Sequence, residues 1–127
     1  MKTAILFAAA QALISMPMDA RKKERPATQE PIVKGCIQIS EIRSHRMGLT
    51  VGPGLDAMVD NGCDGPMRII VSIAYYDNSE IQFKNGRESA TVAPGTRWQL
   101  QHRIFDDEDA RRLKTARIIG VTVIAQR

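Results

Sequence analysis

Between Met67 and Asp77 the chain reads Met-Arg-Ile-Ile-Val-Ser-Ile-Ala-Tyr-Tyr-Asp, the longest strand signal in the sequence. Met67, Ile69, Val71, Ile73 and Tyr75 fall on one side of a pleated strand, and Arg68, Ile70, Ser72, Ala74 and Tyr76 on the other. That is the period of a sheet with one face in a core. β-Branched and aromatic residues dominate, as a half-buried pleated surface favours. Turn-forming residues bound the run, Asp64-Gly65-Pro66 before it and Asp77-Asn78-Ser79 after it. The segment predicts a central strand.

Shorter alternating runs surround it. Ile32 to Ile42 predicts a strand with Val33, Gly35, Ile37 and Ile39 on one face. Ser44 to Thr50 continues it as a ragged edge, where Arg43, His45 and Arg46 would meet water. Val51-Gly52-Pro53-Gly54 is a turn, and Leu55 to Asn61 is a strand with Leu55, Ala57 and Val59 inward. Asn61-Gly62 and Asp64-Gly65-Pro66 make a wide turn into the central strand. Beyond Asp77, Ile81 to Phe83 and Ser89 to Val92 read as short strands joined by a hairpin at Lys84-Asn85-Gly86-Arg87, because Asn-Gly accepts the positive φ angles of a tight turn. Ala93-Pro94-Gly95-Thr96 has the proline and glycine of a type II turn.

Thr96 to Ile104 alternates cleanly, with Trp98, Leu100, His102 and Ile104 facing one way and Arg97, Gln99, Gln101 and Arg103 the other. Asp106 to Thr115 predicts one short helix; its acidic start and basic end complement the helix dipole. Arg117 to Ala125 is the last strand, with Ile119, Val121, Val123 and Ala125 inward. The expected core is Ile69, Val71, Ile73, Trp98, Leu100, Ile119, Val121 and Val123. Short strands separated by turns predict an all-β protein, an antiparallel β-sandwich with one short helix before the last strand. The helix would plug one end of the sandwich or cross between its sheets. A five-stranded barrel is the competing arrangement.

The chain of 127 residues is long enough for one domain with a real core. Three segments are expected: residues 1–20 a signal peptide, 21–31 a basic linker, and 32–127 the sandwich. Met1 to Ala20 has a positive start at Lys2, an apolar run from Thr3 to Ser15, and a break at Pro17. This is the plan of a secretory leader and is shorter than a spanning helix needs. Arg21, Lys22, Lys23 and Arg25 place more positive charge after the run than before it. An uncleaved apolar segment is therefore the alternative, and the only route by which the chain would meet a membrane. The net charge of +4 leaves nucleic acid, anionic lipid or an acidic partner open without selecting one. Cys36 and Cys63 are the only cysteines. In an oxidising compartment they are expected to form a disulfide; in a reducing one they would be two small buried hydrophobes.

Ile73-Ala74-Tyr75-Tyr76-Asp77 resembles the Phe-x-Leu-Tyr-Asp signature of FxLYD-type domains, with Tyr76-Asp77 retained. The asparagine turn at Val59-Asp60-Asn61-Gly62-Cys63 and the Pro94-Gly95 turn resemble two further features of such domains, and the likeness runs from about Val33 to Ala125. The resemblance implies an immunoglobulin-like sandwich of an exported bacterial protein. It implies a binding or spacer module with no shared catalytic residues.

Candidate chemistry is sparse. His45 and His102 are the only histidines, and neither has a Ser or Cys nucleophile at a recognisable spacing. His102 lies in the core-facing register of its strand, where a hydrogen-bonded core histidine is the ordinary reading. Asp106-Asp107-Glu108-Asp109 lacks the alternating ligands and central glycine of a calcium loop, and helix capping accounts for it. No glycine-rich phosphate loop is present, since Gly52-Pro53-Gly54 has a proline where a backbone donor is needed. Arg97, Gln99, Gln101 and Arg103 form a polar stripe and are the candidate binding face. The expectation is thus a non-catalytic module, periplasmic or secreted, with no cofactor or metal. Its expected partner is another envelope or extracellular protein rather than nucleic acid. The alternatives are a polyanion- or nucleic-acid-binding barrel using the stripe, and an enzyme with an unrecognised site.

Overall fold

The computed structural model describes residues 27–47 and 52–126. The expected leader, the basic run before Ala27, and residues 48–51 of the expected ragged strand and turn lie outside the described residues. Among the described residues the elements follow in order as β1 (Ala27–Gln29), β2 (Ile32–Lys34), β3 (Ile37–His45), β4 (Gly54–Asn61), β5 (Met67–Tyr76), β6 (Gln82–Val92), β7 (Arg97–Arg103), α1 (Asp107–Arg112) and β8 (Thr115–Ala125). They form two antiparallel sheets. The larger runs β1-β3-β4-β7, with β2 also paired to β3; the smaller runs β6-β5-β8. The sheets are not closed into a barrel. The chain moves from the larger sheet to the smaller between β4 and β5, returns between β6 and β7, and passes over again through α1.

The expected central strand is β5, hydrogen-bonded on both sides. Its inward residues Ile69, Val71, Ile73 and Tyr75 have no exposed surface. Facing them are Ile37, Ile39 and Ile42 of β3, Leu55, Ala57 and Val59 of β4, and Leu100 of β7, all in one continuous core. Trp98 packs half-buried against it. The short helix has Asp106 as its N-cap, whose Oδ2 accepts from the Asp109 N–H at 3.0 Å. Ala110 and Leu113 drop into the core. The Pro94-Gly95 turn forms as expected: Gly95 has φ 71° and the Thr96 N–H donates to the Ala93 carbonyl at 3.2 Å.

Five details differ from the sequence expectation. The linker ends early, because Ala27–Gln29 is already a strand paired with β3. Ile32 to Ile42 is not one strand: Gly35, at φ 59°, and Cys36 turn the chain, so that Lys34 pairs with Ile37 and Val33 is 70% exposed. A glycine with positive φ at the first turn position is the pattern of a two-residue type II′ hairpin. The expected hairpin at Asn85-Gly86 does not form. Those residues pair with Ala74 and Ile73 in the middle of β6, and the turn lies at Asp77–Glu80, where Asp77 Oδ1 accepts from the Ser79 and Ile81 N–H groups. Pairing along the whole of β5 outweighs a local turn preference.

The last two differences are bulges. In β3 the register shifts between Ser40 and Arg43, with Glu41 at φ 49°, which turns Ile42 and Ser44 inward. In β8 the register shifts opposite Ser72 and Ile73, which pair with Gly120 and Ile118 and leave Ile119 unpaired. Strict alternation places Ile119 in the core. The extra residue reverses the faces on one side of it, so Ala116 and Ile118 are buried and Ile119 is 56% exposed. Val121 and Val123, beyond the bulge, keep their expected side and pack against the core.

Cys36 and Cys63 form a disulfide, with Cα atoms 5.1 Å apart. The bond joins the β2–β3 turn to the loop after β4, alongside a hydrogen bond from the Gly62 N–H to the Cys36 carbonyl at 2.9 Å. Asn61, 1% exposed, organises the same end. Its Oδ1 accepts from the Cys63 N–H at 2.8 Å, and its Nδ2 donates to the carbonyls of Val92 at 2.8 Å and Gly65 at 3.1 Å. The outer edge of β8 is closed by side chains. Gln29 donates to the Ile118 carbonyl and accepts from the Ile118 N–H, as a neighbouring strand would. Ser44 accepts from the Ala116 N–H.

Candidate functional site

The polar stripe lies on β7, an edge strand of the larger sheet, and its four residues share the outward face as the alternation requires. Antiparallel pairing with β4 places Arg97 opposite Asp60 and Gln101 opposite Asp56. Arg97 holds Asp60 through Nε at 2.8 Å and Nη2 at 3.2 Å, the bidentate geometry that suits a guanidinium and a carboxylate. The Asp60 carboxylate raises the Arg97 pKa. Arg103 Nη1 lies 2.7 Å from Asp56 Oδ1. Both cations of the stripe are thus engaged by carboxylates of the adjacent strand. Gln99 and Gln101 are exposed between them.

His45, expected at an exposed edge, is 7% exposed at the end of β3. The β3 bulge and its pairing with Gly54 of β4 bring it in. Its Nε2 is 2.8 Å from Asp56 Oδ2, so one carboxylate meets both His45 and Arg103. Despite these short distances, His45 Nε2 and Asp56 Oδ1 make no hydrogen bond among the described residues. Gly54 at this junction has no room for a side chain, since a Cβ would stand 1.9 Å from the His102 carbonyl oxygen.

His102 faces the smaller sheet, as its register predicts. Its ring sits over Gly86, where an added Cβ would lie 2.5 Å from Cε1 and 2.6 Å from Nε2. The buried Tyr75 hydroxyl is hydrogen-bonded to His102 Nδ1, and Nε2 faces Glu88 Oε2 at 3.8 Å. Burial first, and then Glu88, raise the Tyr75 pKa well above the ordinary tyrosine value, so the hydroxyl keeps its proton. Burial likewise lowers the His102 pKa, against the opposing pull of Glu88 and with the help of Lys84 and Arg103. The imidazole is therefore neutral near pH 7. This cluster was partly legible in the sequence. Tyr75 and His102 both fall on inward registers, and counting back from Val92 places Glu88 on the same side. The hairpin expected at Asn85-Gly86 concealed it.

Two of the four acids at the helix start are engaged locally. Asp106 caps α1 and Asp109 pairs with Lys84 of β6 at 3.1 Å. Asp77 accepts two backbone N–H groups and faces Arg112, which hold its carboxyl below the usual range. No cluster of three metal-ligating side chains occurs among the described residues. The surface depressions are open. One of about 390 Å³ at the ends of β5 and β8 is lined by Tyr76, Asp77, Glu80, Lys114 and Arg117. Another, of about 490 Å³, crosses the outer face of the smaller sheet at Ser72, Asn85, Arg87 and Ile119. No family model, curated protein or solved structure matches the chain.

Proposed function

We propose that the chain is an exported, non-catalytic interaction module, periplasmic or secreted, of the FxLYD-type immunoglobulin-like kind, whose partner is another envelope or extracellular protein. The observation that carries this reading is the Cys36–Cys63 disulfide, which joins the only two cysteines of the chain. Such a bond persists in oxidising compartments and is rare in the cytosol. The family reading draws support from Tyr76-Asp77 at the end of the central strand, from the turn at Pro94-Gly95, and from Asn61, whose three side-chain bonds fasten the loop before that strand. The role as a module draws support from the broad, solvent-facing sheet surfaces.

The test has two parts in the native host. Intact-mass measurement of the protein is expected to show loss of Met1 to Ala20, and alkylation without reductant is expected to modify neither cysteine. A full-length protein with two alkylated thiols in the cytoplasmic fraction would overturn the export reading. Photo-crosslinking from engineered surface positions should then trap a partner in the envelope or medium. Recovery of uncrosslinked protein from every position would overturn the module reading.

A further inference from the structure

The two outward faces of the molecule differ in charge. On the larger sheet, Asp60 meets Arg97, Asp56 meets Arg103 and Glu41 meets Arg43, so that face neutralises itself. The smaller sheet is built differently. Among all the residues of β5, β6 and β8 the only carboxylate is Glu88, and it faces inward to His102. The outward face carries Arg68, Arg87 and Arg117, all exposed, standing among Ser72, Ser89 and Thr122. None of these three arginines has an ion-pair partner among the described residues. The acids that share a surface depression with one of these arginines are Glu30, Asp77 and Glu80, all beside Arg117 at one end of the face; Asp77 is already held by Arg112 and two backbone N–H groups.

We propose that the outer face of β6-β5-β8 is a docking surface for an acidic polypeptide, held by Arg68, Arg87 and Arg117. The inference rests on the reading of the domain as an interaction module and names the chemistry of its partner. The register spaces the cations. Arg87, Ser72 and Gly120 form one row across the three strands, and Asn85, Ala74 and Arg117 form the next. With strands about 4.8 Å apart and about 3.4 Å per residue, Arg87 lies about 12 Å from Arg117 and about 14 Å from Arg68. An extended acidic segment can place carboxylates at such intervals, and the planar guanidinium fork suits a carboxylate. Exposed Ile119 and Ile124 share the face and give an apolar component that a polypeptide can match and a purely ionic polymer cannot. Arginine with apolar neighbours is the composition of protein interfaces. The chain's own basic run, Arg21 to Arg25, has the wrong sign to be the occupant. Two copies meeting through this same face would set arginine against arginine.

The probe is a glutamate-rich peptide of about ten residues with two leucines, long enough to span roughly 30 Å when extended. It is titrated into the isotope-labelled full chain, with amide shifts followed by NMR. Shifts are expected along β5, β6 and β8 and not along β7. The triple variant R68E/R87E/R117E and the milder R68Q/R87Q/R117Q should each weaken binding at least tenfold. The control R43E/R46E/R111E has the same net charge as the first variant and should bind within threefold of the parent. Circular dichroism checks that each variant is folded, and the milder set keeps the test decisive if charge reversal disturbs the sheet.

Equal weakening by the control, or shifts confined to β7, would overturn the proposal. So would tighter binding at the same face by heparin or by phosphatidylglycerol vesicles, which would assign it to a polysaccharide or a lipid surface. Self-association of the parent that the arginine variants abolish would assign it to a second copy and overturn the proposal too. If the peptide fails while crosslinking in the host traps a partner through another surface, this inference falls and the module reading stands.

Discussion

Replacing Ile118 and Ile119 separately by alanine tests the bulge in β8, and the two readings of that strand predict opposite results. Ile118 is 4% exposed and belongs to the core; Ile119 is 56% exposed and stands opposite no residue of β5. Ile→Ala removes three carbon atoms, worth about 0.8 kcal/mol each when fully buried, or about 2.4 kcal/mol of transfer free energy. At Ile118 the cavity left between β5 and β3 adds to this, giving about 3–4 kcal/mol, inside the roughly 2–5 kcal/mol range of such truncations. At Ile119 less than half of the transfer is at stake, so about 1 kcal/mol is expected, including the lower strand preference of alanine. Trp98 is the only tryptophan and lies half-buried against the core, so urea unfolding followed by its fluorescence reads both variants directly. The slope against urea should stay that of the parent, because the surface exposed on unfolding is nearly unchanged. A cost at Ile119 equal to or larger than that at Ile118 would refute the bulged register and restore strict alternation.

Three further outcomes follow from the same contacts. Asn61→Ala removes three side-chain hydrogen bonds and strands the buried Val92 carbonyl and Cys63 N–H, so it should cost about 3 kcal/mol in urea unfolding; a cost below about 1 kcal/mol would mean that water or a local shift replaces those bonds. Gly86→Ala drives a methyl group into the His102 ring and should destabilise by about 1–3 kcal/mol, and the loss should shrink in His102→Ala, which removes the obstacle. Burial depresses the His102 pKa, so the unfolded chain takes up a proton there before the folded one does. Its contribution is fully present above the unfolded value of about 6.5 and is lost as pH falls through that value toward the folded one. His102→Phe should therefore flatten the stability profile over that acidic interval, and a profile as steep as the parent's would show that His102 is not responsible.

β4, β5 and β7 were legible from alternation alone, because each is long enough for period two to show and none carries an internal bulge. The places that misled share a cause. Glu41 and Ile119 are single extra residues, invisible to a periodic reading yet able to exchange a strand's faces on one side. Asn85-Gly86 has the local chemistry of a turn, but its partner for pairing, Ala74-Ile73, is set by the turn at Asp77–Glu80. The glycine there serves the approach of His102 from the other sheet, a contact no local window contains. The candidate stripe was legible as a surface. Its neutralisation by Asp56 and Asp60 was not, because it depends on the register between β4 and β7, some forty residues apart in the chain. The arginines of the smaller sheet, without an ion-pair partner among the described residues, were missed for the complementary reason: Arg68, Arg87 and Arg117 are isolated in sequence and become neighbours only through the pairing of three strands.

The order in which the chain visits its two sheets has a consequence for how the protein can be made and taken apart. Residues up to Asn61 supply most of the larger sheet, but its last strand, β7, arrives only after β5 and β6 have been laid into the smaller one. The smaller sheet in turn waits for β8, whose Thr115 pairs with Tyr76 and whose Ala125 pairs with Met67. No cut between the strands separates the two sheets: a fragment that keeps one sheet whole always carries strands of the other, and each sheet covers its apolar side with the other and with Ala110 and Leu113. During synthesis the central strand β5 leaves the ribosome well before its β8 partner, with one edge unpaired. The nascent chain therefore stays dependent on whatever shields such a strand until β8 is out. Folding is then a single late event dominated by distant contacts, in the slow range typical of β proteins.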